Sequence, residues 1–190
     1  VLDLSGSMTG DRIASLKQAM LMLAADSNAK DRYARFLNRE EVGIITFSSK
    51  TDPTKVFQMG STPEENAKAR DAVRRLIEPL ATRGATAIYS SVQQALTELS
   101  AERSDNRDKR YYTVVLMTDG VNNRGLNAEE FRSWYEQQGD KVRGIRVFPI
   151  LFGEGNEAAL KDLATLTGGR LFDSRSKDLA SVFKEIRGYQ

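Results

Sequence analysis

Short apolar runs alternate along this chain with apolar stripes of helical period. Residues 1–4, VLDL, read as the end of a buried strand. Over 11–29, Ile13, Leu16, Met20 and Leu23 recur at helical spacing and predict an amphipathic helix. EVGIITFS, 41–48, is rich in β-branched residues and predicts a strand. A second, shorter strand over 55–59 is reached through the turn-like TDPT. At 62–65, Thr62 caps a helix, Pro63 suits its first position and Glu65 completes a capping box. That helix runs toward Leu80. Another is predicted over 87–102, with Ile88, Val92, Ala95, Leu96 and Leu99 facing inward, and a polar loop follows at 104–110.

YTVVLMT, 112–118, is nearly continuous apolar sequence, the pattern of a strand covered on both faces. Asn127 with Glu130 predicts a capped helix whose Phe131, Trp134 and Tyr135 belong to the core. A strand over 146–152 contains Pro149. A helix over 156–167 is stopped by Gly168 and Gly169. A short strand, 170–173, and a final helix, 176–187, complete the chain. The alternation predicts a three-layer, doubly wound α/β domain with a mostly parallel sheet. The one strand-to-strand step, from 41–48 to 55–59, predicts one short antiparallel strand at an edge. We expect a single domain over 1–190. VLDL reads as a first strand whose start is missing, so the chain is taken as a piece of a longer protein.

Composition narrows the chemistry. The 190 residues are 40% hydrophobic and 28% charged, ordinary for a globular domain. A formal net charge of +2, with bases interspersed among acids, gives no reason to expect nucleic acid as a partner. No apolar run approaches about 18 residues, so no membrane insertion by this segment is expected. Cysteine and histidine are both absent. Their absence removes disulfides, thiolate and imidazole metal sites, Cys nucleophiles and a Ser-His-Asp triad.

Ligands of such sheets bind at the carboxyl ends of the strands. Three polar features fall there. Asp3, Ser5 and Ser7 follow the first strand, Asp119 ends YTVVLMTDG, and Thr86 lies in the loop ATRGATAIYSS. Taken singly, each is a turn or a helix cap. Taken together they are more. Converging carboxylates repel unless a proton or a cation lies between them. With hydroxyls nearby the donor set is all oxygen, which suits Mg²⁺, Mn²⁺ or Ca²⁺ and not zinc. The spacing i, i+2, i+4 puts Asp3, Ser5 and Ser7 on one side of an extended segment.

DLSGSM resembles the DxSxS motif of von Willebrand factor A domains, also called integrin I-type domains. GATAIYSS resembles that family's loop threonine and MTDG its second aspartate, and the three come in the family's order. The stretch from GEGNEAAL through GGRLFDS and the last helix is similar to bacterial members. The resemblance implies a metal-ion-dependent adhesion site formed by Asp3, Ser5, Ser7, Thr86 and Asp119. It implies that the serines bind the ion directly, the threonine directly or through water, and the aspartates often through water. Only two of these five residues are charged, so the ion is under-neutralised. Its open position then attracts an anionic oxygen, typically a carboxylate from a partner protein. The loops at 8–11, 83–85 and 120–125, with Asn122 and Asn123, would choose that partner.

The expected function is therefore a divalent-metal-dependent protein-binding module for adhesion or complex assembly, a monomeric domain and not an enzyme. Extracytoplasmic or cell-surface placement is the first expectation, and the cytoplasm the alternative. One competing reading is a subunit that assembles with an ATPase. Another is a Mg²⁺-dependent phosphotransferase or hydrolase using Asp3, similar to the haloacid dehalogenase type. That family has a second acid two residues on, where Ser5 stands here. GEGNEA fits GxGxxA, with Asp173 about twenty residues further on, as in dinucleotide-binding turns. Glu154 would set a carboxylate beside a pyrophosphate, so Gly153 and Gly155 read instead as glycines of a tight turn.

Overall fold

In the computed structural model, residues 1–25, 35–106, 110–174 and 179–189 are described. The strands are β1 (Leu2–Asp3), β2 (Glu41–Ile44), β3 (Thr46–Phe47), β4 (Lys55–Gln58), β5 (Thr113–Thr118), β6 (Arg146–Leu151) and β7 (Phe172–Asp173). The helices are α1 (Asp11–Leu23), α2 (Pro63–Ile77), α3 (Ile88–Asn106), α4 (Ala128–Glu136), α5 (Asp140–Arg143), α6 (Glu157–Leu166) and α7 (Leu179–Gly188). A 3₁₀ turn, Gly6–Met8, leads from β1 toward α1.

Five strands form one sheet in the order β3-β1-β5-β6-β7, and every pairing in it is parallel. The expected strand EVGIITFS divides at Ile45. Its first half, β2, pairs antiparallel with β4, from Glu41 opposite Gln58 to Ile44 opposite Lys55. Its second half, β3, joins the parallel sheet beside β1. Ile45 stays in line, because its carbonyl accepts from the Leu2 N–H at 2.7 Å. The short antiparallel pair is thus present as a two-stranded ribbon continuous with the sheet's edge. Pro149 sits in β6 opposite Leu116 of β5. On its other flank β7 pairs only with Ile150 and Leu151, so no β7 residue pairs with the proline.

Helices cover both faces, and the two longest strands, β5 and β6, carry apolar residues on both sides. On one face Leu16, Met20 and Leu23 of α1 pack with Val73 and Ile77 of α2 and with Val182, Phe183 and Ile186 of α7. On the other, Val92 and Leu96 of α3, Phe131 and Tyr135 of α4, Val142 of α5 and Leu160 and Leu163 of α6 share a second core. Phe131 is fully buried and its ring centroid lies 5.6 Å from that of Trp134, which is half-buried against the same cluster. The predicted capping boxes form at Thr62 with Glu65 and at Asn127 with Glu130. The helix α3 continues through 104–106, which the polar pattern assigned to a loop; 107–109 lie outside the described residues. The predicted helical residues 26–29, the charged stretch 30–34 and the start of the last helix at 176 also lie outside them.

The chain leaves β1 for β3 on one side and later returns to β5 on the other. The carboxyl ends of β1 and β5 therefore flank the point where the winding reverses. In an open α/β sheet that crevice is where a ligand sits.

Candidate functional site

Leu2 of β1 lies opposite Met117 of β5, so Asp3 and Asp119 leave the sheet at neighbouring carboxyl ends. Both are buried, 0% and 1% exposed. One oxygen of Asp3 accepts from the Ser5 N–H at 2.8 Å, and the other accepts from the Thr118 hydroxyl at 2.6 Å. That hydroxyl also accepts from the Gly120 N–H at 3.0 Å. Thr118 thus fastens the end of β5 to the end of β1. The Asp3 carboxyl is held above the usual carboxylate range. Burial is the main cause; the bonds from Thr118 and Ser5 pull it down and the Asp119 charge pushes it up. The two acids are within electrostatic reach of each other.

The 3₁₀ turn brings the two serines together. The Ser5 hydroxyl is 3.1 Å from that of Ser7; Ser5 is buried and Ser7 exposed. The Gly6 N–H donates to the Gly84 carbonyl at 3.0 Å, and the Arg83 N–H donates to the Leu4 carbonyl at 2.6 Å. These bonds join the serine loop to the loop that carries Thr86.

Thr86 is 2% exposed. Its N–H donates to Asn123 Oδ1 at 2.8 Å, and its carbonyl accepts from the backbone N–H groups of Asn123 at 2.9 Å and Arg124 at 3.1 Å. Asn122 Oδ1 accepts from the Ile88 N–H at 2.8 Å, capping the first turn of α3. The side-chain oxygens of Asn123 and Asn122 therefore brace the start of α3, at Thr86 and at Ile88, while Asn123 itself remains exposed at the surface. Asp3, Ser5, Ser7, Thr86 and Asp119 stand on three loops that are bonded to one another.

Asp119 is satisfied on one side only. Its Oδ2 accepts from Arg12 Nη1 at 3.1 Å, and the same Nη1 donates to the Ser7 carbonyl at 2.9 Å. Asp119 Oδ1 is buried without a hydrogen-bond partner. An unmet carboxylate oxygen in a dry site is costly, and it is the kind of atom a cation satisfies. Among the described residues no three His, Cys, Asp or Glu side chains gather. A cation here would rest on two carboxylates and on hydroxyls, a donor set that fits a hard ion.

The turn GEGNEA, which in outline matched a dinucleotide loop, packs against this site instead. A Cβ on Gly155 would overlap the carbonyl oxygen of Asp119, so a glycine is required for the turn to approach so closely. Gly153, at φ +79°, leaves room for Arg12, whose Nε is 2.5 Å from where a Cβ would stand. A cavity of about 550 Å³ lies at the amino end of β1, lined by residues such as Val1, Val42, Tyr112 and Phe183, and none of the five site residues borders it.

The model of the von Willebrand factor type A domain matches residues 1–186. The chain belongs to the von Willebrand factor type A domain family. Inter-alpha-trypsin inhibitor heavy chain H3 of Homo sapiens is 28% identical to it over 132 residues, 68% of this chain and 13% of that protein. The Rattus norvegicus protein is 27% identical over 169 residues, 87% of this chain and 17% of that one. This type A domain therefore spans only a small part of the curated relatives it matches. Among solved structures it is similar to a von Willebrand factor type A protein from Catenulispora acidiphila, with a TM-score of 0.71, 16% identity, and 97% of this chain and 40% of that one covered. It is also similar to the manganese-loaded TRAP protein of Plasmodium vivax, with a TM-score of 0.55, 20% identity, and 96% and 71% covered. These structural likenesses carry the type A fold. Among the described residues no helix is long and apolar enough to cross a membrane.

Proposed function

We propose that this domain binds a divalent cation, Mg²⁺, Mn²⁺ or Ca²⁺, through Asp3, Ser5, Ser7, Thr86 and Asp119, and that the ion takes a carboxylate from a protein partner. The observation that carries the reading is Asp119: a buried carboxylate beside a second buried carboxylate, with one oxygen unpartnered. Ser5 and Ser7 would offer hydroxyls from the same turn, and Thr86 a third from the adjoining loop. When bound, the ion supplies a positive centre that accepts an anionic oxygen. The protein's part is to hold the donors in place and keep the carboxylates dry. The manganese-loaded TRAP protein, which shares the fold, agrees with a cation of this class. Both oxygens of Asp3 accept hydrogen bonds from the protein, which suits a positioning role better than attack on a phosphorus atom.

The test is thermal unfolding in chelator and with each cation, for the wild type and Asp119→Asn. A cation at a hundred times its dissociation constant adds about 2.7 kcal/mol if it binds the folded state alone. At roughly 2–4 °C per kcal/mol for a domain of this size, the midpoint rises by about 5–11 °C. The rise should be lost in Asp119→Asn. No rise in the wild type with any of the three ions at millimolar concentration would sink the proposal.

A further inference from the structure

We infer that Arg12 is the internal counter-ion of this site, a positioning residue that occupies the charge balance of the metal-free domain and sets how readily a divalent cation enters. The inference rests on the metal reading above. Three contacts carry it. Arg12 Nη1 donates to Asp119 Oδ2 at 3.1 Å and to the Ser7 carbonyl at 2.9 Å, so one nitrogen spans two of the three loops that bear the candidate ligands. The guanidinium passes over Gly153, where a Cβ would stand 2.5 Å from Nε. The turn after β6 thus leaves room for a planar cation at this place. Asp119 is 2% exposed in its side chain while Arg12 is 36% exposed, so the acid is sealed and the base reaches it from the rim.

The electrostatics follow directly. Asp3 and Asp119 are two buried acids in mutual reach, and among the described residues Arg12 is the base paired with either in an ion pair. Without Arg12 the metal-free site would hold two facing carboxylates and no balancing charge. An entering divalent cation relieves the same repulsion and is itself repelled by the guanidinium. Arg12 therefore stabilises the empty domain and weakens metal binding. A residue that served only to brace the Ser7 loop would do the opposite, because loosening the ligand loop weakens metal binding.

The experiment is calorimetric titration of the wild type, Arg12→Gln and Arg12→Lys with Mn²⁺ alone, with the unfolding midpoint in chelator measured beside it. Arg12→Gln should unfold at a lower temperature in chelator and bind Mn²⁺ about tenfold more tightly or better. Arg12→Lys, which keeps the charge, should stay within about threefold of the wild type. If Arg12→Gln is unfolded in chelator, Mn²⁺ should refold it; failure to refold overturns the inference. Equal or weaker Mn²⁺ binding by a folded Arg12→Gln overturns it while leaving the metal site standing. No Mn²⁺ binding by any of the three proteins overturns the metal reading and this inference together.

Discussion

Thr118→Val is the sharpest probe of how the site is assembled. The two side chains have nearly the same shape, and valine suits a buried strand, so packing and strand propensity are retained. The variant loses one hydroxyl that makes two bonds. Asp3 loses its donor at 2.6 Å and the Gly120 N–H loses its acceptor at 3.0 Å, both in a site closed to water. A hydrogen bond to a charged group is worth about 1.5–3 kcal/mol, and a buried N–H left unpaired costs about 1–3 kcal/mol. Together the loss should be about 3–5 kcal/mol, a drop of roughly 10 °C in midpoint. Thr118→Ser keeps the hydroxyl and should lose only about 1 kcal/mol for the missing methyl. Urea unfolding in chelator measures both, with the midpoint moving at constant slope if the effect lies in the folded state. If Thr118→Val lies within 1 kcal/mol of the wild type, the hydroxyl does not join β1 to β5 and the account of Asp3 fails.

Two further substitutions test the remaining supports. Gly155→Ala places a methyl on the Asp119 carbonyl oxygen, a backbone atom that cannot swing away, and should cost about 2–3 kcal/mol through forced displacement; Gly139→Ala, which meets nothing within 4 Å, should stay within about 0.5 kcal/mol of the wild type by the same denaturation assay. Asn123→Ala removes the acceptor for the Thr86 N–H and should cost about 1 kcal/mol. It should also shrink the Mn²⁺-induced rise in unfolding temperature, and an unchanged rise would mean that Thr86 does not need this bond to serve the ion.

Much of the fold was legible because single segments state it. YTVVLMT has the pattern of a strand covered on both sides, and the Thr62–Glu65 and Asn127–Glu130 pairs announce their helices by local hydrogen bonding. The break at Ile45 was not legible, because a β-branched run looks the same whether it serves one sheet or two. Which partner each half takes depends on β1 and β4, which are remote in sequence. The helix α5 is four residues long, too short to show any period. The extension of α3 through 104–106 runs against its polar composition, because polar residues occur in helices as well as in loops. The candidate site divides in the same way. Its acids and serines stand in short motifs at strand ends, where the topology makes them conspicuous; Thr86 stands in the loop between α2 and α3. Its supports do not. Arg12 and Asp119 are 107 residues apart, and Thr118 and Asp3 are 115 apart. Nothing in the residues near Arg12 marks it out from any other base in the first turn of a helix. Asn122 and Asn123 sit in a polar loop, and nothing local shows that their side-chain oxygens also brace the start of α3.

The supports also give the proposed function its logic. With Asp3 and Asp119 ionised, the metal-free site carries two negative charges and, among the described residues, the positive charge of Arg12. Its local field is negative and repels an acidic partner. A divalent cation reverses the sign, leaving one net positive charge in a water-poor crevice, where charge interactions are stronger than at the open surface. One carboxylate from a partner then neutralises it. A third acid in place of Ser5 or Ser7 would cancel that surplus and bind metal more tightly, at the expense of any attraction for a partner. Neutral hydroxyls paired with one arginine keep the loaded site electropositive. On the proposed reading the ion would be held by the domain but completed from outside, and the scarcity of carboxylates, which would make the site a poor metal trap, would also make it a switchable surface for protein binding.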